Sequence, residues 1–266
     1  MSSFFISYSD DRFIESQKRL SRQAKKVGLF DKVIEYSPKD LPCYIKASPL
    51  FAFSKGGGYW VWKPYILYYT LLHCHEGDIV YYCDAGCSLN KNSSEWSYFQ
   101  KMLETYSAIF FQYRDGFHYN WGVNCEKASI KYWMKPTSRL YFQASLGEEF
   151  LDYSQIWAGF MIVKKTKPLL RIIEEWYKLT LFHPSLVMDP IGVEDSGQID
   201  YYHTHDQAVL TPLVFFFRNE DHALVIPETA ESQLGDPAVK GTRWRQGKMS
   251  ILQKIRYRIW TLLIGE

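Results

Sequence analysis

The sequence predicts an α/β fold: a mostly parallel central sheet with helices on both faces, followed by an amphipathic helix at the C-terminus. Three observations carry that prediction. Strand-like and helix-like runs alternate between Phe4 and Cys83 in the order strand, helix, strand, helix, strand, which is the pattern of parallel strands joined by crossover helices. The alternation resumes at Gly159. Residues 247–266 then switch to an apolar period near 3.6 with basic flanks.

Taken in order, Phe4-Phe5-Ile6-Ser7-Tyr8 reads as a first buried strand. Asp10 or Asp11 caps a helix that places Phe13, Leu20, Ala24 and Val27 on one face and stops at Gly28. Residues 32–36 form a second strand. Pro64 opens a helix reaching residue 75, and residues 78–83 make a third strand that delivers Asp84-Ala85-Gly86. Ser93 or Ser94 caps a helix to residue 106, and a strand follows over 108–111.

From 112 to 155 polar and aromatic residues mix without a period. A strand over 159–163 and a helix over 168–181 restore order. Residues 182–202 carry Pro, Gly and acidic residues without periodicity, and a loop this long in a compact domain is usually functional. A helix over 205–213 and a strand over 214–217 complete the pattern. Residues 1–246 thus form one domain and 247–266 a separate helix.

A hydrophobic share of 47% provides for a sizeable core. The net charge of +2 excludes a general nucleic-acid binder, which would show a strong basic excess. Aromatic residues reach 17%, enough to fill a core and also to face sugars or nucleobases. Five scattered cysteines form no disulfide framework, and the odd number fits a reducing compartment. His73, Cys74, His75, Cys83 and Cys87 lack the paired spacing of a structural zinc module. There is no leader-like n-region and no window of ~18 apolar residues, so a cytoplasmic protein is expected.

The chemistry concentrates in residues 56–87. Asp84 stands at the carboxyl end of a strand, where open α/β sheets bind ligands, and Ala85 and Gly86 leave room for close approach. Upstream, Tyr59, Trp60 and Trp62 surround Lys63. An anion, a cation and stacking surfaces in one unit suit a sugar diphosphate. In Trp157-Ala158-Gly159-Phe160, small residues admit either a substrate or a closely packed neighbour.

His203-Thr204-His205-Asp206-Gln207 suggests a zinc hydrolase at first glance, but Gln207 stands where a further ligand is needed. As a helix start, the segment instead points Asp206, Gln207 and the helix amides into a polar pocket, with Asp206 also able to cap the helix.

The first strand, the GYWVWKP segment, the strand ending in Asp84, the WAGF strand and the HDQ-x-x-L helix occur in one order. Over roughly residues 3–215 the chain resembles the GT-A-fold (Rossmann-like) nucleotide-sugar glycosyltransferases of bacterial capsule and lipopolysaccharide gene clusters. It is also similar to the retaining galactosyltransferases and glycogenin-like enzymes.

The resemblance implies that Ser7 and Tyr8 line the nucleotide pocket. Lys63 reaches the diphosphate or donor sugar, with Ala85 and Gly86 beside it, while Tyr59, Trp60, Trp62, Trp157 and Gly159 line the acceptor side. Asp206 accepts hydrogen bonds from donor hydroxyls, and Gln207 lies near the anomeric carbon. Asp84 matches the first Asp of the Asp-x-Asp motif that holds Mn²⁺ or Mg²⁺. Gly86 replaces the second, so His203, His205, His222 or water has to complete the shell.

The implied reaction moves a hexose from a nucleotide-diphosphate sugar, a UDP-sugar by preference, to a saccharide or lipid-linked saccharide in cell-surface polysaccharide synthesis. The Asp-Gln pair leans to retention, and Asp189, Glu194, Asp195 and Asp200 are available as a base for inversion.

In residues 247–266, Ile251, Leu252, Ile255, Ile259, Leu262 and Leu263 share a helical face flanked by Lys254, Arg256 and Arg258. That face suits the anionic inner surface of a membrane, or packing across the domain. Two readings compete with the transferase: a non-catalytic carbohydrate-binding protein, and a zinc hydrolase built on His203 and His205.

Overall fold

Six strands hydrogen-bond into one sheet in the order β2-β1-β3-β6-β5-β7, where β1 is Ser3–Tyr8, β2 Lys32–Tyr36, β3 Ile79–Cys83, β5 Ala108–Gln112, β6 Ile156–Lys164 and β7 Ala223–Pro227. The short β4 (Ser88–Leu89) and β8 (Val239–Lys240) pair separately. The computed structural model describes residues 1–116, 127–189, 202–218, 222–232 and 235–242.

β1 runs parallel to β2 and β3, and β5 parallel to β7, so the expected mostly parallel sheet is present. β6 alone runs against its neighbours β3 and β5. That reversal places the start of β6 at the edge where β1, β3, β5 and β7 end, which is the edge that carries the site. The β5–β6 register shifts between Ile109 and Phe111, so β6 bulges just where Trp157 and Gly159 lie.

The helices are α1 (Ile14–Val27), α2 (Cys43–Lys46), α3 (Gly56–Tyr59), α4 (Trp62–His73), α5 (Glu95–Thr105), α6 (Pro136–Leu146), α7 (Lys167–Phe182) and α8 (Asp206–Phe217). Alternation along the strands divides the core between the two faces. Phe5, Tyr81 and Ile162 join Leu20 and Ala24 of α1 and Trp96 and Phe99 of α5. Ile6, Val80 and Met161 join α4, α7 and α8 through Ile66, Leu67, Trp176 and Val209. Among the described residues, no helix is long and apolar enough to cross a membrane.

Several expected elements differ. α1 has no side-chain cap: Asp10 turns its carboxylate to Arg12, although Gly28 ends the helix in the left-handed conformation at φ 76° as expected. α6 fills part of the stretch that shows no period, because only Ser138 and Phe142 of the helix are buried. The expected strand over 214–217 is the last turn of α8. Its apolar run is buried through Val214, and a helix buries that run as well as a strand would, even with Pro212 inside it. The outer strand is β7 instead. Residues 190–201, with Glu194, Asp195 and Asp200, and the helix expected over 247–266 lie outside the described residues.

Candidate active site

A cavity of about 570 Å³ opens at the sheet edge where β1 and β3 end and β6 begins. At its floor Lys63 is 2% exposed. Its Nζ lies 2.9 Å from Asp206 Oδ2 and 3.4 Å from Asp84 Oδ1, and donates to the Ala158 carbonyl at 3.2 Å. One ammonium therefore ties α4, the β3 end, β6 and the start of α8 together.

Burial pushes the Lys63 pKa down, and the two carboxylates more than offset this, leaving it above the ordinary lysine value. Burial raises Asp206 to about 6 although Lys63 pulls the other way. The Tyr82 hydroxyl donates to Asp84 Oδ1, and the Asp84 amide donates to the Gly159 carbonyl at 2.8 Å. Arg19 holds the turn after Asp84 by donating to the Cys87 carbonyl at 2.6 Å.

Asp206 is the first residue of α8 and not its cap. The cap position is His205, at φ 56° and ψ −115°, a backbone conformation that is costly for a residue with a side chain and is held by its surroundings. The His205 imidazole stacks on Trp60 with centroids 5.3 Å apart at 19°, and its Nδ1 lies 2.8 Å from the Val187 carbonyl. Burial lowers its pKa to about 4, so the ring is neutral at physiological pH. Gln207 Oε1 accepts from the Ala158 amide at 2.9 Å, so the side chain offers the cavity its Nε2 hydrogens.

The aromatic wall is built by an unusual backbone. Gly56, Gly57 and Gly58 all have positive φ, and Tyr59 and Trp60 follow at 49° and 58°. A Cβ on Gly56 would sit 2.4 Å from the Trp60 ring, so this glycine lets the indole fold back. Trp62 stacks on Tyr8 at 4.0 Å and 16°, and its Nε1 donates to the Gly56 carbonyl. Tyr8, Trp60 and Trp62 thus all line the cavity.

Trp157 and Gly159 also line the cavity, but Gly159 serves its own strand: a Cβ there would meet the Trp157 indole at 2.4 Å. The close-packing alternative is thus present, with a neighbour on β6 and not a helix as the partner, at a glycine that also lines the cavity.

Ala85 and Gly86 line the cavity as expected, whereas Ser7 and Tyr59 do not. Ser7 is fully buried behind the wall, with its carbonyl accepting from Gln17, and Ser9 takes its place. Tyr59 turns away and donates to Asp189 Oδ2 at 2.6 Å. Lys55 holds the other oxygen of Asp189, which keeps that carboxyl below its ordinary pKa despite partial burial.

The expected metal shell does not form. Among the described residues, no group of three or more His, Cys, Asp and Glu side chains is disposed to hold a metal ion. His205 faces Val187 and Trp60, the His203 Nδ1 lies 3.4 Å from the Lys135 amide, and the His222 carbonyl accepts from Ser107 at the opposite sheet edge. Asp84 already has Tyr82 and Lys63 on Oδ1, and Gly86 adds no oxygen from a side chain. These residues do not fit a protein-built divalent site. Among the described residues, His203 and His205 likewise belong to no group of three side chains disposed to hold a zinc ion.

The structure adds Asp10, Arg12, Lys55, Tyr113 and Glu231 to the wall. The run of three glycines was a readable signal for the left-handed segment. Glu231 had none, because it arrives through the long-range placement of β7.

No family model matches the chain, and no curated protein matches it. Solved structures similar to it include a glycosyltransferase involved in the glycosylation of the major capsid of PBCV-1, at 10% identity over 98% of this chain and 100% of that one, TM-score 0.47. Mouse xyloside xylosyltransferase 1 is similar at 10% identity over 85% of each chain, TM-score 0.42. The apo-form glycosyltransferase GlyE of Streptococcus pneumoniae TIGR4 is similar at 10% identity over 100% of this chain and 62% of that one, TM-score 0.46. At these values the chemistry of the cavity, and not the likeness, bears on function.

Proposed function

We propose that the protein is a glycosyltransferase that moves a hexose from a nucleotide-diphosphate sugar, preferentially a UDP-sugar, to a saccharide acceptor in cell-surface polysaccharide synthesis. One observation carries this reading: a cavity of ligand size has the Tyr8–Trp62 stack on its wall and the Lys63–Asp84–Asp206 cluster at its floor. A nucleobase needs the first and a glycosyl diphosphate the second. A carbohydrate-binding protein would need aromatic surface but has no use for a buried ammonium between two carboxylates.

In this reading Asp84 and Asp206 accept hydrogen bonds from donor hydroxyls, while Lys63 fixes both carboxylates in place. The amides at the start of α8 and the Gln207 Nε2 face the charge that develops on the departing diphosphate. The Asp206-Gln207 pair by itself points to a retaining course, in which the departing phosphate takes the acceptor proton.

The test is a thermal-shift panel of UDP, GDP, CMP and dTDP, each with and without Mn²⁺. A nucleotide at ~100 times its Kd stabilises the fold by ~2.7 kcal/mol, a clear rise in Tm. A rise with UDP is the expected result, and the Mn²⁺ arm reads whether the nucleotide brings a cation with it. A folded sample that responds to none of the four favours the carbohydrate-binding reading.

Residues 247–266 extend the proposal to a lipid-linked acceptor at an anionic membrane surface, supported by their apolar face and basic flanks. The full chain is expected to float with vesicles of anionic lipid and to lose this when 247–266 are deleted. Equal flotation of both forms would remove the membrane from the proposal.

A further inference from the structure

We infer that the turn carrying Asp84 binds a phosphate oxygen of the nucleotide diphosphate through the Gly86 backbone amide, with Arg19 as the positioning residue behind it. This rests on the transferase reading above and deepens it, by giving the diphosphate a place on this chain.

Residues 84–87 use their backbone groups unevenly. All four carbonyls are taken. Asp84 accepts from the Cys87 amide at 2.9 Å and Gly86 from Thr242 Oγ1 at 2.7 Å. Arg19 Nη2 donates to the Cys87 carbonyl at 2.6 Å and to the Ala85 carbonyl at 3.4 Å. The amides are not matched in the same way. Asp84 and Cys87 donate theirs to the Gly159 and Asp84 carbonyls, whereas those of Ala85 and Gly86 meet no acceptor among the described residues. A turn whose acceptors are used and whose donors are left over suits an anion.

Arg19 also fixes where the Gly86 amide points. The described peptide bonds are all trans, so in the Ala85–Gly86 unit the C=O and the N–H lie on opposite sides. The Ala85 carbonyl faces Arg19, and the Gly86 N–H therefore faces away from it. Ala85, Gly86 and Cys87 line the cavity and Arg19 does not, so the side away from Arg19 is the cavity side.

The charge is placed to match. Arg19 is 6% exposed, and a buried guanidinium brings positive charge up behind an amide that an anion would meet from the front. Asp84 commits its Oδ1 to Tyr82 and Lys63. Lys63 also lies 2.9 Å from Asp206, so this turn and the start of α8 are neighbours on the cavity floor. Gly86, which has no side-chain oxygen for a cation, contributes a donor for the anion instead.

The test is an NMR titration of the ¹⁵N-labelled full chain with UDP, and with uridine as the ligand that lacks phosphate, each in EDTA and again in Mg²⁺. In at least one buffer UDP is expected to move the Gly86 amide proton downfield and to give a ³¹P–¹⁵N coupling across the hydrogen bond. Uridine is expected to do neither. Arg19→Met keeps the bulk of the side chain and removes its donors, and is expected to weaken UDP binding roughly tenfold or more while uridine binding changes less than about twofold. A Gly86 amide that responds to uridine as it does to UDP, with no coupling to phosphorus in either buffer, overturns the inference. A folded Arg19→Met variant that binds UDP within about threefold of wild type, or that loses both ligands alike, removes the positioning role. A chain in which no resonance responds to UDP removes the transferase reading itself, and this inference with it.

Discussion

Lys63→Met is expected to destabilise the fold by about 3–5 kcal/mol, read as a lower urea midpoint with an unchanged slope. Methionine fills the volume of the lysine stem but leaves Asp84 and Asp206 facing each other without the ammonium 3.4 and 2.9 Å away. A loss below about 1 kcal/mol would show that the cluster is not held by charge.

The pH dependence has a definite sign. Asp206 titrates at about 6 in the folded protein against an ordinary 3.8. A carboxyl raised on folding contributes stability that is fully present below 3.8 and is lost as pH rises through about 6. Removing Lys63 raises the folded value further, so the deficit of the variant should grow from pH 4 upward and shrink on acidification. A deficit that stays flat across this window would locate its cause outside the carboxylates.

Gly159→Ala is the second large effect. The added methyl would sit 2.4 Å from the Trp157 indole, and the backbone cannot retreat because the Gly159 carbonyl holds the Asp84 amide at 2.8 Å. The indole has to move, with an expected cost of about 1–3 kcal/mol, read as a lower urea midpoint. Trimming the indole supplies the control. In a Trp157→Ala background the glycine substitution should be nearly neutral, giving a coupling energy of about 1–3 kcal/mol in the double-mutant cycle. Additive effects would mean that the two residues do not share the space.

What the sequence disclosed follows from where it was periodic or chemically marked. β1, β2 and β3 were legible because apolar runs bounded by turn residues are hard to read otherwise, and β3 pointed directly to Asp84. Lys63 and Asp206 were legible as chemistry but not as a pair, since nothing local to either states that 2.9 Å separates them. α6 was hidden by its few buried residues, and β7 by being a half-buried edge strand. The phenylalanines that close α8 misled because an apolar run without polar punctuation fits a strand or a helix equally well. Tyr59 misled in another way: aromatic and close to Lys63 in sequence, it faces Asp189 and not the cavity.

The floor of the cavity also governs how the chain is completed. The groups around Lys63 come from positions 84, 158 and 206, so the ammonium stays without its strongest partner until the last of these has been synthesised. An emerging chain that stops short of α8 holds Lys63 with Asp84 but without Asp206, although α4 can already pack on the sheet through Ile66 and Leu67. The cluster is therefore completed late in synthesis: only a chain long enough to carry Asp206 supplies the second carboxylate.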